Sequence, residues 1–197
     1  MSSQKKIAVL ASGAGTNLQA IIDAIKNSKL NNVHIAAVIS DKKDAFALER
    51  AKSAGIETVF LNPKDLTKNT DYDKKLTEVI NNYDVDLIVL AGYMRILTKS
   101  FVNAFKNKII NIHPALLPDF GGRGMYGKRV HEAVLKSGKT ESGCTVHFVT
   151  DEVDAGPIIA QRKVPVMPHD TIAGLSERIL AEEHKLLVEA IEKVLCK

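Results

Sequence analysis

The stretch Ile7-Ala8-Val9-Leu10-Ala11-Ser12-Gly13-Ala14-Gly15-Thr16-Asn17-Leu18 decides the fold. A short, unbroken apolar run ends in a turn carrying two glycines. Beyond the turn, Leu18, Ile21, Ile22 and Ile25 fall at the i, i+3, i+4, i+7 spacing of one helix face. An apolar run without alternation marks a strand covered on both faces. The same unit repeats outward. Residues 33–39 precede a helical pattern over 45–54, and residues 58–61 precede a helix whose start is marked by Thr70-Asp71-Tyr72-Asp73. That helix gathers Tyr72, Leu76, Val79 and Ile80 on one side. Residues 87–91 and 109–112 are two further apolar runs, separated by a short helical segment near 99–106. Strands alternating with helices predict a parallel α/β sheet.

After residue 113 the pattern changes. Pro114, Pro118 and glycines 121, 122, 124 and 127 make residues 114–127 a long loop. Loops of that length without regular structure are usually functional or mobile. A helix over 128–137 follows. Residues 144–149 then alternate, with Cys144, Val146 and Phe148 on one side and Thr145, His147 and Val149 on the other. A turn at Asp154-Ala155-Gly156-Pro157 leads to a strand over 158–166, and a helix over 171–195 ends the pattern. No repeat or linker interrupts the chain, so residues 1–197 read as one domain.

Composition narrows the function. The chain has 197 residues, 45% of them hydrophobic and 25% charged, which places it among ordinary globular proteins. Its net charge of +4 is scattered, and 5% aromatics without Trp give no base-stacking platform, so nucleic acid is not expected as a partner. Cys144 and Cys196 cannot build a disulfide framework. The start, Met-Ser-Ser-Gln-Lys-Lys, leads into too short an apolar run for a signal core or a membrane span. The expectation is a cytoplasmic protein that engages no membrane. The histidines show no metal-ligand spacing, so no metal is expected.

Four groups of residues could carry chemistry. The turn at Gly13–Gly15 lets an anion approach the backbone N–H groups that open the next helix, around Gly15, Thr16 and Asn17. Leu18 stands where a dinucleotide fingerprint needs its third glycine, so a mononucleotide-type phosphate site suits it better than NAD. The alternative is a plain tight turn with Thr16 or Asn17 as helix cap. Asn111 and His113, at i and i+2 of a strand, share one side at its carboxyl end, where open α/β sheets bind ligands. An amide there can donate to a developing oxyanion, and an imidazole can move a proton. The same pair could also be a hydrogen-bonded strand end. Asp154 could raise the pKa of a nearby histidine, or serve only its turn. Glu183 falls on the apolar stripe of the last helix set by Ile172, Leu175, Ile179, Leu186 and Ala190. Buried, it needs a partner or ligand; at the edge of the stripe, it needs neither.

Read in order, ASGAGTN (11–17), LAGYMRIL (90–97), NIHPALLP (111–118), GCTVHFVTDEVDAGPIIAQ (143–161) and the pair Glu183-His184 resemble the glycinamide ribonucleotide transformylases, folate-dependent formyltransferases of purine synthesis. The resemblance runs from Ile7 to about residue 190. It implies a single-domain, Rossmann-like formyltransferase fold, with about seven strands in a mostly parallel central sheet flanked by helices and an antiparallel C-terminal strand. It also implies that a ribonucleotide phosphate sits on Gly15, Thr16 and Asn17, and that Glu183 contacts the ribonucleotide. The pterin of 10-formyltetrahydrofolate would lie against Met94, Arg95, Ile96 and Leu97, with Asn111, Thr150 and Asp151 nearby. Asn111, His113 and Asp154 match the family's catalytic trio, with His113 protonated and held so by Asp154. The implied partners are small-molecule substrates only, acting on a monomer or homodimer, with no metal.

Two departures stand out. Ala115 replaces a common serine, and the glycine-rich loop from Phe120 to Arg129 is longer than in shorter family members, leaving contacts from Arg123 to His131 open. The match for a basic residue at the folate tail falls near Lys68 or Asn69. A methionyl-tRNA formyltransferase or a formyltetrahydrofolate hydrolase is expected to carry an additional domain, and a non-catalytic nucleotide-binding module would use the same turn without turnover.

Overall fold

The computed structural model describes residues 4–66 and 68–195; Cys196 and residues 1–3 lie outside the described residues. Among the described residues, seven strands form one sheet in the order β3-β2-β1-β4-β5-β6-β7. These are β1 (Lys5–Leu10), β2 (Val33–Ser40), β3 (Thr58–Phe60), β4 (Leu87–Leu90), β5 (Ile109–His113), β6 (Glu141–Phe148) and β7 (Ile158–Pro165). The pairs from β3 through β5 are parallel, and β6 runs against both β5 and β7. The helices are α1 (Thr16–Lys26), α2 (Phe46–Ser53), α3 (Asn69–Asn81), α4 (Lys99–Ala104), α5 (Lys128–Ser137) and α6 (Ile172–Leu195).

Successive strand residues face two different cores, which is why the runs are apolar throughout. Ile7 and Val9 of β1, Val89 of β4 and Ile110 of β5 pack with Leu18 and Ile21 of α1 and Leu187 of α6. Ala8, Leu10, Ile88 and Leu90 pack on the other face with Tyr72, Leu76 and Ile80 of α3 and Phe101 of α4. Full burial of each large apolar side chain contributes about 1.5–3 kcal/mol. The chain builds outward from β1 through β2 to β3, then crosses back to lay β4 on β1's other side. The β1/β4 junction is therefore the point where strand order reverses, and an open crevice forms beyond the strand ends there.

Two helix starts differ from the local sequence signals. Helix α1 is capped by the Gly15 backbone in a left-handed conformation, φ 69°, and neither Thr16 nor Asn17 acts as cap. A Cβ at Gly15 would come within 2.7 Å of Ala47, so the turn packs directly on α2. Helix α3 begins at Asn69, with Lys68 as its cap, instead of at a Thr70 capping box. Asp73 is committed elsewhere, accepting the Thr98 N–H at 2.5 Å from before α4.

Candidate active site

A cleft of about 400 Å³ opens beyond the carboxyl ends of β1, β4 and β5. Its wall contains Asn17, Met94, Arg95, Ile96, Leu97, Asn111, His113, Thr150, Asp151, Asp154 and Glu183. Gly15 and Thr16 sit at the start of α1, immediately before Asn17 and outside the wall itself.

Strand β5 supplies the centre. Its Ile110 and Ile112 turn into one core, so Asn111 and His113 share the opposite side. His113 is 4% exposed. Its Nε2 donates to the Phe120 carbonyl at 2.9 Å, and its Nδ1 lies 3.6 Å from Asp154 Oδ2. Asp154 also accepts the Gly122 N–H at 3.0 Å and holds a left-handed backbone, φ 57°. A Cβ at Gly156 would strike the Phe148 carbonyl oxygen, so the turn that brings Asp154 over the strand requires glycine there.

The charge state of His113 differs from the sequence expectation. Burial pushes the imidazole below its usual range, and the opposing pull of Asp154 and the Phe120 carbonyl does not restore it. Without further charges beside it, His113 therefore favours the neutral form. Asp154 goes the other way: burial pushes its carboxyl up, but the His147 ring, His113 and the Gly122 N–H together hold it below the ordinary carboxylate range.

His147 is the residue that sequence reasoning missed. Register places it directly opposite Asn111 across the antiparallel β5/β6 pair. Its Nδ1 donates to the Phe148 carbonyl at 2.9 Å, which leaves Nε2 to accept from Asn111 Nδ2 at 3.2 Å. The same Nε2 lies 3.6 Å from Asp154 Oδ1. His147 thus fixes the orientation of the Asn111 amide while leaving one of its two N–H groups free to face the cleft. The alternation along β6 carried the signal, since it set Thr145 and His147 on one side.

At the end of the cleft next to α1, Asn17 Nδ2 donates to Glu183 Oε2 at 2.8 Å, joining residues 166 positions apart. Both are 7% exposed, and Asn17 Oδ1 has no protein partner. Glu183 is thus a buried, partnered carboxyl group. Burial lifts its pKa to about 7, against the opposing Asn17 bond. The native protein then holds a proton that the unfolded chain releases at an ordinary value of 4.5, so this site's contribution to stability is lost as pH rises toward 7. Glu183→Gln keeps the Asn17 bond and removes the charge. It should raise Tm at pH 8 by at least about 2–4 °C, the shift 1 kcal/mol makes in a chain of this size, and leave Tm nearly unchanged at pH 4. Thermal unfolding at the two pH values checks this; an equal change at both would dissociate the effect from ionisation.

The remaining wall is more apolar. Leu90, Ile112 and Val149 line it, and Met94 and Ile96 are half exposed at its lip. The Arg95 guanidinium lies 4.1 Å over the Tyr72 ring and donates to Asn69 Oδ1 at 2.7 Å, so Asn69 is tied to this segment. The glycine-rich loop closes the cleft with Arg123, Met125 and Tyr126, and α5 adds His131, whose buried Nδ1 has no protein partner. Ala115 acts through its backbone, its carbonyl accepting the Thr145 hydroxyl at 2.6 Å. Among the described residues, no group of three or more His, Cys, Asp or Glu side chains could hold a metal ion. No described helix is long and apolar enough to cross a membrane.

Compared with known proteins, residues 5–191 match the formyl transferase family model. The phosphoribosylglycinamide formyltransferase of Escherichia coli (strain K12) is 45% identical, over 91% of this chain and 82% of its own length. The trifunctional purine biosynthetic protein adenosine-3 of Bos taurus is 44% identical over 96% of this chain, but the match spans only 18% of that longer protein. The crystal structure of glycinamide ribonucleotide transformylase 1 from Symbiobacterium toebii superimposes with a TM-score of 0.91 at 46% identity, over 97% of this chain and 87% of that one. With its crevice at the strand-order reversal and its amide, imidazole and carboxylate at one strand end, the chain belongs to the formyl transferase family.

Proposed function

We propose that this chain transfers the formyl group of 10-formyltetrahydrofolate to the amino group of N1-(5-phospho-D-ribosyl)glycinamide, a step of de novo purine synthesis. The observation that carries the reading is the convergence of Asn111, His113 and Asp154 in one cleft with the Asn17–Glu183 pair at its far end. The substrate phosphate sits on the backbone N–H groups opening α1 at Gly15, Thr16 and Asn17, where the helix dipole favours an anion. The unsatisfied Asn17 Oδ1 and the Glu183 carboxyl group face the ribosyl part. The pterin lies along residues 94–97, with Thr150 and Asp151 flanking it, against the apolar wall.

The glycinamide amine attacks the formyl carbon, and the carbonyl electrons move onto its oxygen. The free N–H of the Asn111 amide, already aimed by His147, donates to that oxyanion. The attacking nitrogen, now cationic, gives a proton to Nδ1 of His113, the nitrogen left without hydrogen when Nε2 donates to the Phe120 carbonyl of the neutral ring. The resulting imidazolium has acceptors on both nitrogens, the Phe120 carbonyl and Asp154. Collapse of the tetrahedral species breaks the bond to the folate nitrogen, which takes the proton back from His113. One proton thus travels from amine to leaving group, and no covalent enzyme intermediate is needed.

An absorbance assay of folate product formation, with each substrate omitted in turn, tests this reading. Product is expected only when glycinamide ribonucleotide and 10-formyltetrahydrofolate are both present. Folate release without the ribonucleotide would make the chain a hydrolase, and no release with both would overturn the proposal.

A further inference from the structure

Ser12 has no part in the reaction as proposed, yet it joins two segments which that reading assigns to different substrates. Its N–H donates to the Gly92 carbonyl at 3.1 Å. Its hydroxyl donates to Asp41 Oδ1 at 2.6 Å and accepts the Met94 N–H at 2.8 Å. Asp41 follows β2 and is 4% exposed. A carboxylate only accepts, so the Asp41 bond fixes the serine hydrogen and leaves the oxygen lone pairs toward Met94. The direction of the chain, Met94 to Ser12 to Asp41, is therefore set, and its charge-assisted end is the stronger bond.

The two segments differ in how they are held. On the anion side, the Gly13 carbonyl accepts the Ala47 N–H at 3.0 Å, and the Ala14 carbonyl accepts Arg50 Nε at 2.8 Å. The turn is thus braced on α2. Residues 94–97 have no regular secondary structure, and Met94 is half exposed. Ser12 ties this irregular segment, whose Arg95 side chain is held by Tyr72 and Asn69, to the braced turn at the junction of β1 and β4.

We propose that Ser12, held by Asp41, is a positioning residue that couples the phosphate turn to the pterin-binding segment, so that ribonucleotide and folate bind cooperatively. The inference rests on the functional reading above. A ligand that orders either side fixes the Ser12 bridge, and the second ligand then meets a segment that is already ordered. Coupling between sites is reciprocal, so each ligand should tighten the other by the same factor.

The test is calorimetric titration of glycinamide ribonucleotide into the protein with and without saturating tetrahydrofolate, a pair that cannot react. The wild-type protein should bind the ribonucleotide about fivefold or more tightly when tetrahydrofolate is present. Ser12→Ala should bring that ratio below twofold, and Ser12→Thr, which keeps the hydroxyl, should restore it. A merely structural role would weaken each ligand alone and leave the ratio unchanged, which would overturn the proposal. Should Ser12→Ala not fold, Asp41→Asn takes its place: it keeps an acceptor without the charge and should lower the ratio, and an unchanged ratio would again overturn it. Wild-type protein that binds both ligands with no coupling would sink this inference and leave the functional reading standing. Wild-type protein that binds neither would remove both.

Discussion

Alanine at position 113 should lower kcat for formyl transfer by about 10²–10⁴-fold, the range over which a positioned acid–base group contributes. The ring lies between the Phe120 carbonyl and Asp154 at the end of β5. Its removal leaves the half-buried Phe120 carbonyl without that donor, at a cost of up to about 1–3 kcal/mol, so the variant should fold with a lowered Tm. The more telling readout is the pH profile at saturating substrates. With His113 as the proposed neutral base and its pKa held below 6.5 by burial, activity of the wild-type protein should rise through a limb on the acid side of that value. In His113→Ala that limb should vanish together with the rate. Near-normal turnover, or an acid limb that survives the substitution, would remove His113 from the proton path.

Asp154→Asn is the second large effect. Asparagine tolerates the left-handed backbone that Asp154 adopts, and its carbonyl oxygen can still accept the Gly122 N–H. The turn should therefore persist while the charge is lost. An opposite charge at this range supports an imidazolium by about one to three pKa units, so kcat should fall by about 10–10³-fold. The sign on His113 follows: its pKa, already depressed, should fall further, moving the acid limb to lower pH instead of abolishing it. A limb that stays in place would mean that the carboxylate does not act through the ring.

The fold was legible because strands covered on both faces cannot alternate. Runs such as Ile7–Val9 and Leu87–Leu90 feed two cores at once, and that requirement is written in consecutive residues. Asn111 and His113 were legible for the opposite reason, as polar residues ending an apolar strand. Glu183 was visible as a carboxylate on an apolar stripe, although only the structure supplied its Asn17 partner. His147 escaped notice because its task depends on the β5/β6 register, a non-local property. Asp73 misled for the same reason: local sequence offered it to a helix cap, and tertiary structure gave it to Thr98. The neutral form of His113 was hidden because a sequence shows a neighbouring carboxylate but not how much water is excluded.

The contact between the Gly15 turn and Ala47 has a consequence for how relatives of this chain can diverge. With a Cβ at 15 meeting Ala47 at 2.7 Å, and with the Ala47 N–H bound to the Gly13 carbonyl, these positions form one mechanical part drawn from the turn before α1 and from α2. A lineage that enlarges residue 15 must reshape the neighbourhood of residue 47 in compensation. Helix α2, which puts no side chain into the cleft, thereby sets the shape of the turn that opens α1.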